Sequence, residues 1–154
     1  MTQESQLIVK RKVQRGLIIQ RISDLAVLPS KAHDGDLGYD LYASETRTVL
    51  PGMTCLVPTG LKIKFPGGWG AKIFDRSSVA TKDMLLVVAG VIDSGYRGEI
   101  KVALHNFNKE AFEIHAGKKI AQMVLIPVID FEITEGTVDD DTLRGAGGFG
   151  STGV

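Results

Sequence analysis

AGVIDSGYRGEIKVALHN, residues 89–106, sets an acid and an aromatic ring three positions apart between two apolar runs. Ala89, Gly90, Val91 and Ile92 make a small, apolar approach to a single carboxylate, Asp93. Ser94 and Gly95 supply a turn, Tyr96 follows, and Ile100, Val102 and Leu104 then share one face of a returning strand. The stretch reads as a hairpin with Asp93 and Tyr96 at its tip. Two readings of Asp93 are open. A carboxylate between an apolar run and a tight turn can hydrogen-bond its own turn. The same position can also fix a general base at the mouth of a pocket.

Outward from this hairpin, strand signals are short and frequent. Before it they fall at Leu7–Val9, Leu17–Ile22, Ala26–Leu28, Thr54–Val57, Leu61–Phe65 and Trp69–Phe74. From the hairpin onward they fall at Glu99–His105, Phe112–Ile114, Ile120–Ile126 and Phe131–Ile133. Alternation is clean in Leu61–Phe65, with Leu61, Ile63 and Phe65 inward and Lys62 and Lys64 outward. Turns such as VPTG and FPGGWG suit the direction changes of a compact all-β body. Only Ser77–Leu86 predicts a helix, capped by Ser77 or Ser78 and carrying Val79, Met84 and Leu85 as an apolar stripe. No internal repeat breaks the body. It runs over residues 21–141, between an N-terminal extension (1–20) and a glycine-rich C-terminal arm (142–154).

The chain has 154 residues, enough for one domain that buries roughly two-thirds of its unfolded surface. No run approaches the ~18 consecutive apolar residues of a membrane span, so no membrane partner is expected. MTQESQLIVKRKVQRG at the start is basic and interrupted, and predicts no secretory signal. Eighteen basic residues balance eighteen acidic ones, which is not the charge of a duplex nucleic-acid binder. One cysteine, Cys55, precludes an internal disulfide and fits a reducing, cytoplasmic setting. In an apolar strand without a Cys partner, it reads as an inert thiol.

Chemistry-bearing residues are scattered. DRSS at 75–78 puts Arg76 beside the Ser77 and Ser78 hydroxyls at a predicted helix start, either a solvated arginine or a phosphate clamp. Gln122 is a structural amide or a phosphate contact. Asp40, in GDLGYDLYA, ends a strand or touches the water shell of a metal. Trp69 reads as packing; Tyr96 either packs or lays its ring flat on a sugar. His33, His105 and His115 lack zinc-ligand spacing, and no G-x-S-x-G elbow supports serine catalysis. The tail RGAGGFGSTG has five glycines in ten residues. It reads either as a disordered end or as an arm that orders over a ligand, with Arg144, Ser151 and Thr152 on anionic oxygens and Phe149 on a flat ring. No Walker loop is present.

Taken together, these segments resemble the five motifs of the homotrimeric deoxyuridine triphosphatase (dUTPase) family, in order. GDLGYDLYAS resembles the first, DRSSVA the second, GVIDSGYRGE the third, GKKIAQ the fourth and RGAGGFGSTG the fifth. Only the first ~20 residues fall outside the resemblance. It implies a β-clip body like a distorted jelly roll, and hydrolysis of dUTP to dUMP and pyrophosphate through attack of water on the α-phosphorus. Asp93 would deprotonate that water, and Tyr96 would pack on the deoxyribose. Main-chain groups of Ala89, Gly90, Val91 and Ile92 would bind the uracil edge. Arg76, Ser77, Ser78, Gln122, Arg144, Gly150, Ser151 and Thr152 would hold the triphosphate, with Phe149 closing over the base. Mg²⁺ would ride on the phosphates, with Asp40 reaching its waters. The family resemblance also implies a homotrimer whose sites lie between subunits, each receiving a neighbour's tail.

Three positions depart from that pattern, and Met84 through Val88 also differ from the common form. Asp75 replaces a proline, Ser78 a glycine, and Gly95 an aspartate of the usual DxDY. RSS and DSGY lean toward the deoxycytidine triphosphate deaminases. Those enzymes carry a glutamate ten residues after the hairpin aspartate, where this chain has Ala103. Without that acid the hydrolase is the better reading. A non-catalytic nucleotide sensor on the same scaffold is the alternative from another class, and the intact Asp93, Tyr96 and tail weigh against it.

Overall fold

The computed structural model describes residues 16–139 and 141–148. Eleven short strands and one helix follow one another in the described residues. The first strands are β1 (Ile18–Arg21), β2 (Tyr39–Tyr42), β3 (Arg47–Val49), β4 (Thr54–Pro58), β5 (Leu61–Lys64) and β6 (Trp69–Phe74). After them come α1 (Ser77–Thr81), β7 (Leu85–Val87), β8 (Val91–Ile92), β9 (Lys101–Asn106), β10 (Phe112–Ile114) and β11 (Lys119–Pro127). All pairings are antiparallel. One sheet runs β2-β11-β6-β8 and another β4-β9-β7, with β1-β5 and β3-β10 as two-stranded ribbons. This is the all-β body with one short helix that the turns and alternation predict, and the distorted jelly-roll form is the one the family resemblance implies.

The core forms where the inward faces meet. In β5 the alternation is realised residue by residue, Leu61 and Ile63 buried and Lys62 and Lys64 exposed. Ile73 of β6, Val102 and Leu104 of β9, and Ile120 and Met123 of β11 join Leu41, Val57 and Ile114 in one apolar cluster. Such buried side chains contribute about 1.5–3 kcal/mol each. Asn106 is fully buried yet satisfied, because its Nδ2 donates to the Val49 and Glu110 carbonyls and its Oδ1 accepts from Asn108.

Four expectations need correction. The helix covers Ser77–Thr81 only, and neither serine caps it; Arg76, in extended conformation, is the N-cap and makes no side-chain cap bond. At Met84 the chain takes a left-handed φ of 50°, and Leu85 and Leu86 continue as strand rather than helix. The 89–106 stretch is not a hairpin in the pairing sense. Its first arm, β8, pairs with β6, while its returning arm, β9, lies between β4 and β7. The turn at Asp93–Tyr96 therefore carries the chain from one sheet to another. Finally, Ala26–Leu28 and Phe131–Ile133 are not strands, whereas β2, β3 and β7 are strands beyond those expected. Phe131 and Ile133 are 80% and 97% exposed, in an acidic segment that also carries Asp130, Glu132 and Glu135. Leu7–Val9 lies outside the described residues. Residues 18–20, assigned by sequence to the extension, pair with β5.

Candidate active site

Asp40, Arg76, Ser77 and Gln122 come from β2, the β6–α1 junction and β11, and they line a single cavity of about 240 Å³. Strand pairing explains the convergence, since Gln122 lies between Asp40 on one neighbour and Phe74 on the other. Arg76 is two residues beyond Phe74. Asp40 is only 8% exposed, and each of its oxygens has a cation. Arg76 Nε donates to Oδ1 at 2.7 Å and Lys119 Nζ to Oδ2 at 2.7 Å. The hydrogen bond and the charge of Asp40 hold the Lys119 ammonium above the usual lysine range. Gln122 Nε2 donates to the Asp75 carbonyl at 2.7 Å. A side chain at Gly38 would come within 2.3 Å of Gln122 Oε1, so glycine is what lets that amide sit there. The result is a shelf of fixed donors beside a guanidinium already oriented by a buried carboxylate.

A second cavity, of about 260 Å³, opens where β6, β8 and the end of β11 meet, and Val91, Ile92 and Asp93 line it. β8 is the outer strand of its sheet, so one side of its backbone has no strand neighbour. Gly90 is pressed against β6, where its carbonyl accepts the Ile73 N–H at 2.8 Å and an added Cβ would meet the Ile73 carbonyl at 2.8 Å. The turn beyond is closed by backbone, Tyr96 N–H to the Asp93 carbonyl at 3.0 Å. Asp93 itself is exposed, and its carboxylate makes no hydrogen bond among the described residues. Tyr96 donates its hydroxyl to the Glu99 carbonyl at 2.9 Å and leaves its ring 43% exposed.

The two cavities are separated along β11 by the four residue steps from Gln122 to Ile126, about 13 Å of strand. Ser78, Ala89, Tyr96 and Arg144 line neither of them. Arg144 is exposed and donates to the Gly147 carbonyl at 3.0 Å. Phe149, Gly150, Ser151 and Thr152 lie outside the described residues.

Comparison with known proteins bears on the same segments. The dUTPase family model matches residues 24–153. The chain belongs to the dUTPase family. It is 48% identical over 138 residues to a deoxyuridine 5'-triphosphate nucleotidohydrolase of Alkaliphilus metalliredigens, covering 88% of this chain and 96% of that one. A second enzyme of that name, from Gloeothece citriformis, is 45% identical over 140 residues, 90% of this chain and 97% of that one. Among solved structures, the dUTPase of Staphylococcus bacteriophage 80alpha with dUPNHPP superposes with a TM-score of 0.82 at 27% identity, over 90% of this chain and 99% of that one.

Two groups that sequence reading left out of the site have partners in it or beside it. Lys119 lies inside GKKIAQ and completes the ion cluster on Asp40. Asp75, in the place of the usual proline, accepts the Val87 N–H at 2.6 Å. Gly95 has open space where a Cβ would stand, so nothing steric demands glycine there. Among the described residues no cluster of three His, Cys, Asp or Glu could hold a metal ion. No helix among them is long and apolar enough to cross a membrane.

Proposed function

We propose that this protein hydrolyses dUTP to dUMP and pyrophosphate. The observation that carries the reading is a carboxylate, Asp93, that has no hydrogen-bond partner among the described residues, at the rim of a cavity beside a strand edge that no described strand covers, in a member of the dUTPase family. The unpaired side of β8 offers backbone donors and acceptors in fixed positions. Uracil presents a matching acceptor–donor–acceptor edge, whereas the cytosine edge leaves donors facing donors. Val91 and Ile92 would bind the base, with Gly90 and Ala89 setting their approach, and the exposed Tyr96 ring would cover the deoxyribose. Asp93 would take a proton from water as its oxygen attacks the α-phosphorus. The bond from that phosphorus to the bridging oxygen then breaks, and pyrophosphate leaves with the electron pair.

Charge gathers on the departing phosphates. Arg76, Ser77 and Gln122 would meet it on their shelf, aided by Arg144, Ser151 and Thr152 of a tail, with Phe149 over the base. Both Asp40 oxygens are already engaged by Arg76 and Lys119. That arrangement fits a Mg²⁺ held by the triphosphate, with Asp40 touching its waters through remaining lone pairs. Bound there, Mg²⁺ would neutralise phosphate charge.

The working unit in this reading is a homotrimer in which tails cross between subunits. Two observations support it: the separation of the two cavities along β11, and the bare apolar side chains Phe131 and Ile133, which alternate as a strand does. The half-buried thiol of Cys55 fits a cytoplasmic setting.

Pyrophosphate release from a panel of dUTP, dTTP, dCTP and UTP with Mg²⁺ tests the function. Strong preference for dUTP is expected. Ammonia release from dCTP, or binding of dUTP without turnover, would replace the hydrolase by a deaminase or a sensor.

A further inference from the structure

We propose that Asp75 is a positioning residue that joins the phosphate shelf to the base-binding strand edge; its functional half rests on the hydrolase reading above. The residue stands between the end of β6 and Arg76, and it makes two bonds in opposite directions. Its carbonyl accepts Gln122 Nε2 at 2.7 Å, which fixes one donor of the shelf. Its carboxylate accepts the Val87 N–H at 2.6 Å, which reaches into the other sheet. β7 pairs with β9 on one side only, as the outer strand of β4-β9-β7. Val88 N–H points to that partner, donating to the Ala103 carbonyl at 3.1 Å. Val87, one residue back, therefore turns its N–H away from β9, where no strand covers it. The Asp75 carboxylate stands in for the missing neighbour.

Position along the chain gives this bond its consequence. Three residues after Val87 comes Gly90, locked against Ile73, and then β8 with its open edge. Asp75 thus holds the root of the segment that would bind the base, while its own backbone holds Gln122 and leads directly into Arg76. A proline here, as in the common family pattern, would keep the carbonyl for Gln122 and lose the carboxylate for Val87. In this chain one side chain adds a second tie between shelf and base edge to the β6–β8 pairing. A carboxylate accepting a backbone N–H is about twice as strong as a neutral pair, so this acceptor is well suited to hold a sheet edge.

Three variants test it: Asp75→Ala and Asp75→Pro remove the acceptor, and Asp75→Asn keeps an oxygen in its place. The readouts are amide exchange at Val87, kcat and KM for dUTP, and the affinity of inorganic pyrophosphate, which needs the shelf alone. Removing the acceptor should speed Val87 exchange and lower kcat/KM by about tenfold or more, while the Asn variant stays within about threefold of the native protein. Pyrophosphate affinity should change by less than about threefold in all of them. Equal behaviour of Ala and Asn would overturn the proposal, as would unchanged Val87 exchange. Loss of pyrophosphate affinity in step with dUTP would also overturn it, because the carboxylate would then only build the shelf. Should the Ala variant fail to fold, the Pro variant carries the comparison. If the native protein does not turn over dUTP, the functional half falls with the hydrolase reading, and Val87 exchange still decides whether the tie exists.

Discussion

In the proposed reaction the chemistry turns on Asp93, and its surroundings suit a base better than a turn-former. The turn is closed by main chain, and the carboxylate is free of it. Asp93→Asn should therefore leave folding and analogue binding intact while lowering kcat by about 10²–10⁴. Calorimetry with a non-hydrolysable dUTP analogue, beside turnover, checks both halves; a fall of less than tenfold would mean that Asp93 is not the base. The order acid, turn, aromatic made Asp93 a candidate base in the sequence and left the turn-forming role open beside it. The shelf was not legible from spacing, because Arg76 lies 36 positions from Asp40 and Gln122 lies 47 from Asp75. Only family resemblance gathered those residues before the fold did. Lys119 was passed over for a plain reason: a lysine at a strand start reads as solvated, and its pairing with Asp40 exists only across the β2–β11 ladder.

Among the elements, β5, with its clean alternation, was read correctly, whereas β7 was not. β5, β6 and β10 carry their period in their own side chains. β7 does not: its Leu-Leu-Val follows Met84 and extends the apolar stripe of the helix so smoothly that nothing local separates them. What separates them is the left-handed turn at Met84, held by the Phe107 N–H on the Met84 carbonyl at 3.0 Å and by Asn108 Nδ2 on the Asp83 carbonyl at 2.8 Å. A left-handed conformation costs an L-residue roughly 1–2 kcal/mol, most of all a β-branched one. Met84→Val should accordingly destabilise the fold by about 1–2 kcal/mol, whereas Met84→Gly should be neutral or gain up to about 1 kcal/mol. Urea unfolding measures both, and equal stabilities would show that the corner is not left-handed in solution. Phe131–Ile133 failed in the other direction. Its alternation is real, but no strand among the described residues pairs with it.

For the whole molecule the proposed assembly is directly measurable. Light scattering at micromolar concentration should give three times the mass of the chain, and a monomer would refute the trimer. If tails serve neighbours, mixing Asp93→Asn with a deletion of residues 144–154 should restore activity after subunit exchange, since some sites then combine an intact Asp93 with an intact tail. Recovery failing despite exchange verified by mass spectrometry would assign each tail to its own subunit.

The exposed segment after β11 has a further consequence, which concerns long-range charge. Six of the eighteen acidic residues lie between Asp130 and Asp141, where there is no lysine or arginine, so the balanced chain is uneven along its length: an anionic ribbon follows residues 1–129, which carry seventeen basic and twelve acidic side chains. Fields of that kind steer like molecules head to tail and fade as ionic strength shortens the Debye length from ~30 Å at 0.01 M to ~8 Å at 0.15 M. Head-to-tail contacts extend without limit unless rotation brings the last ribbon onto the first body. In the proposed trimer every ribbon would be spent on a neighbouring body. The charge asymmetry would then be cancelled on closure, leaving no pole for a fourth copy.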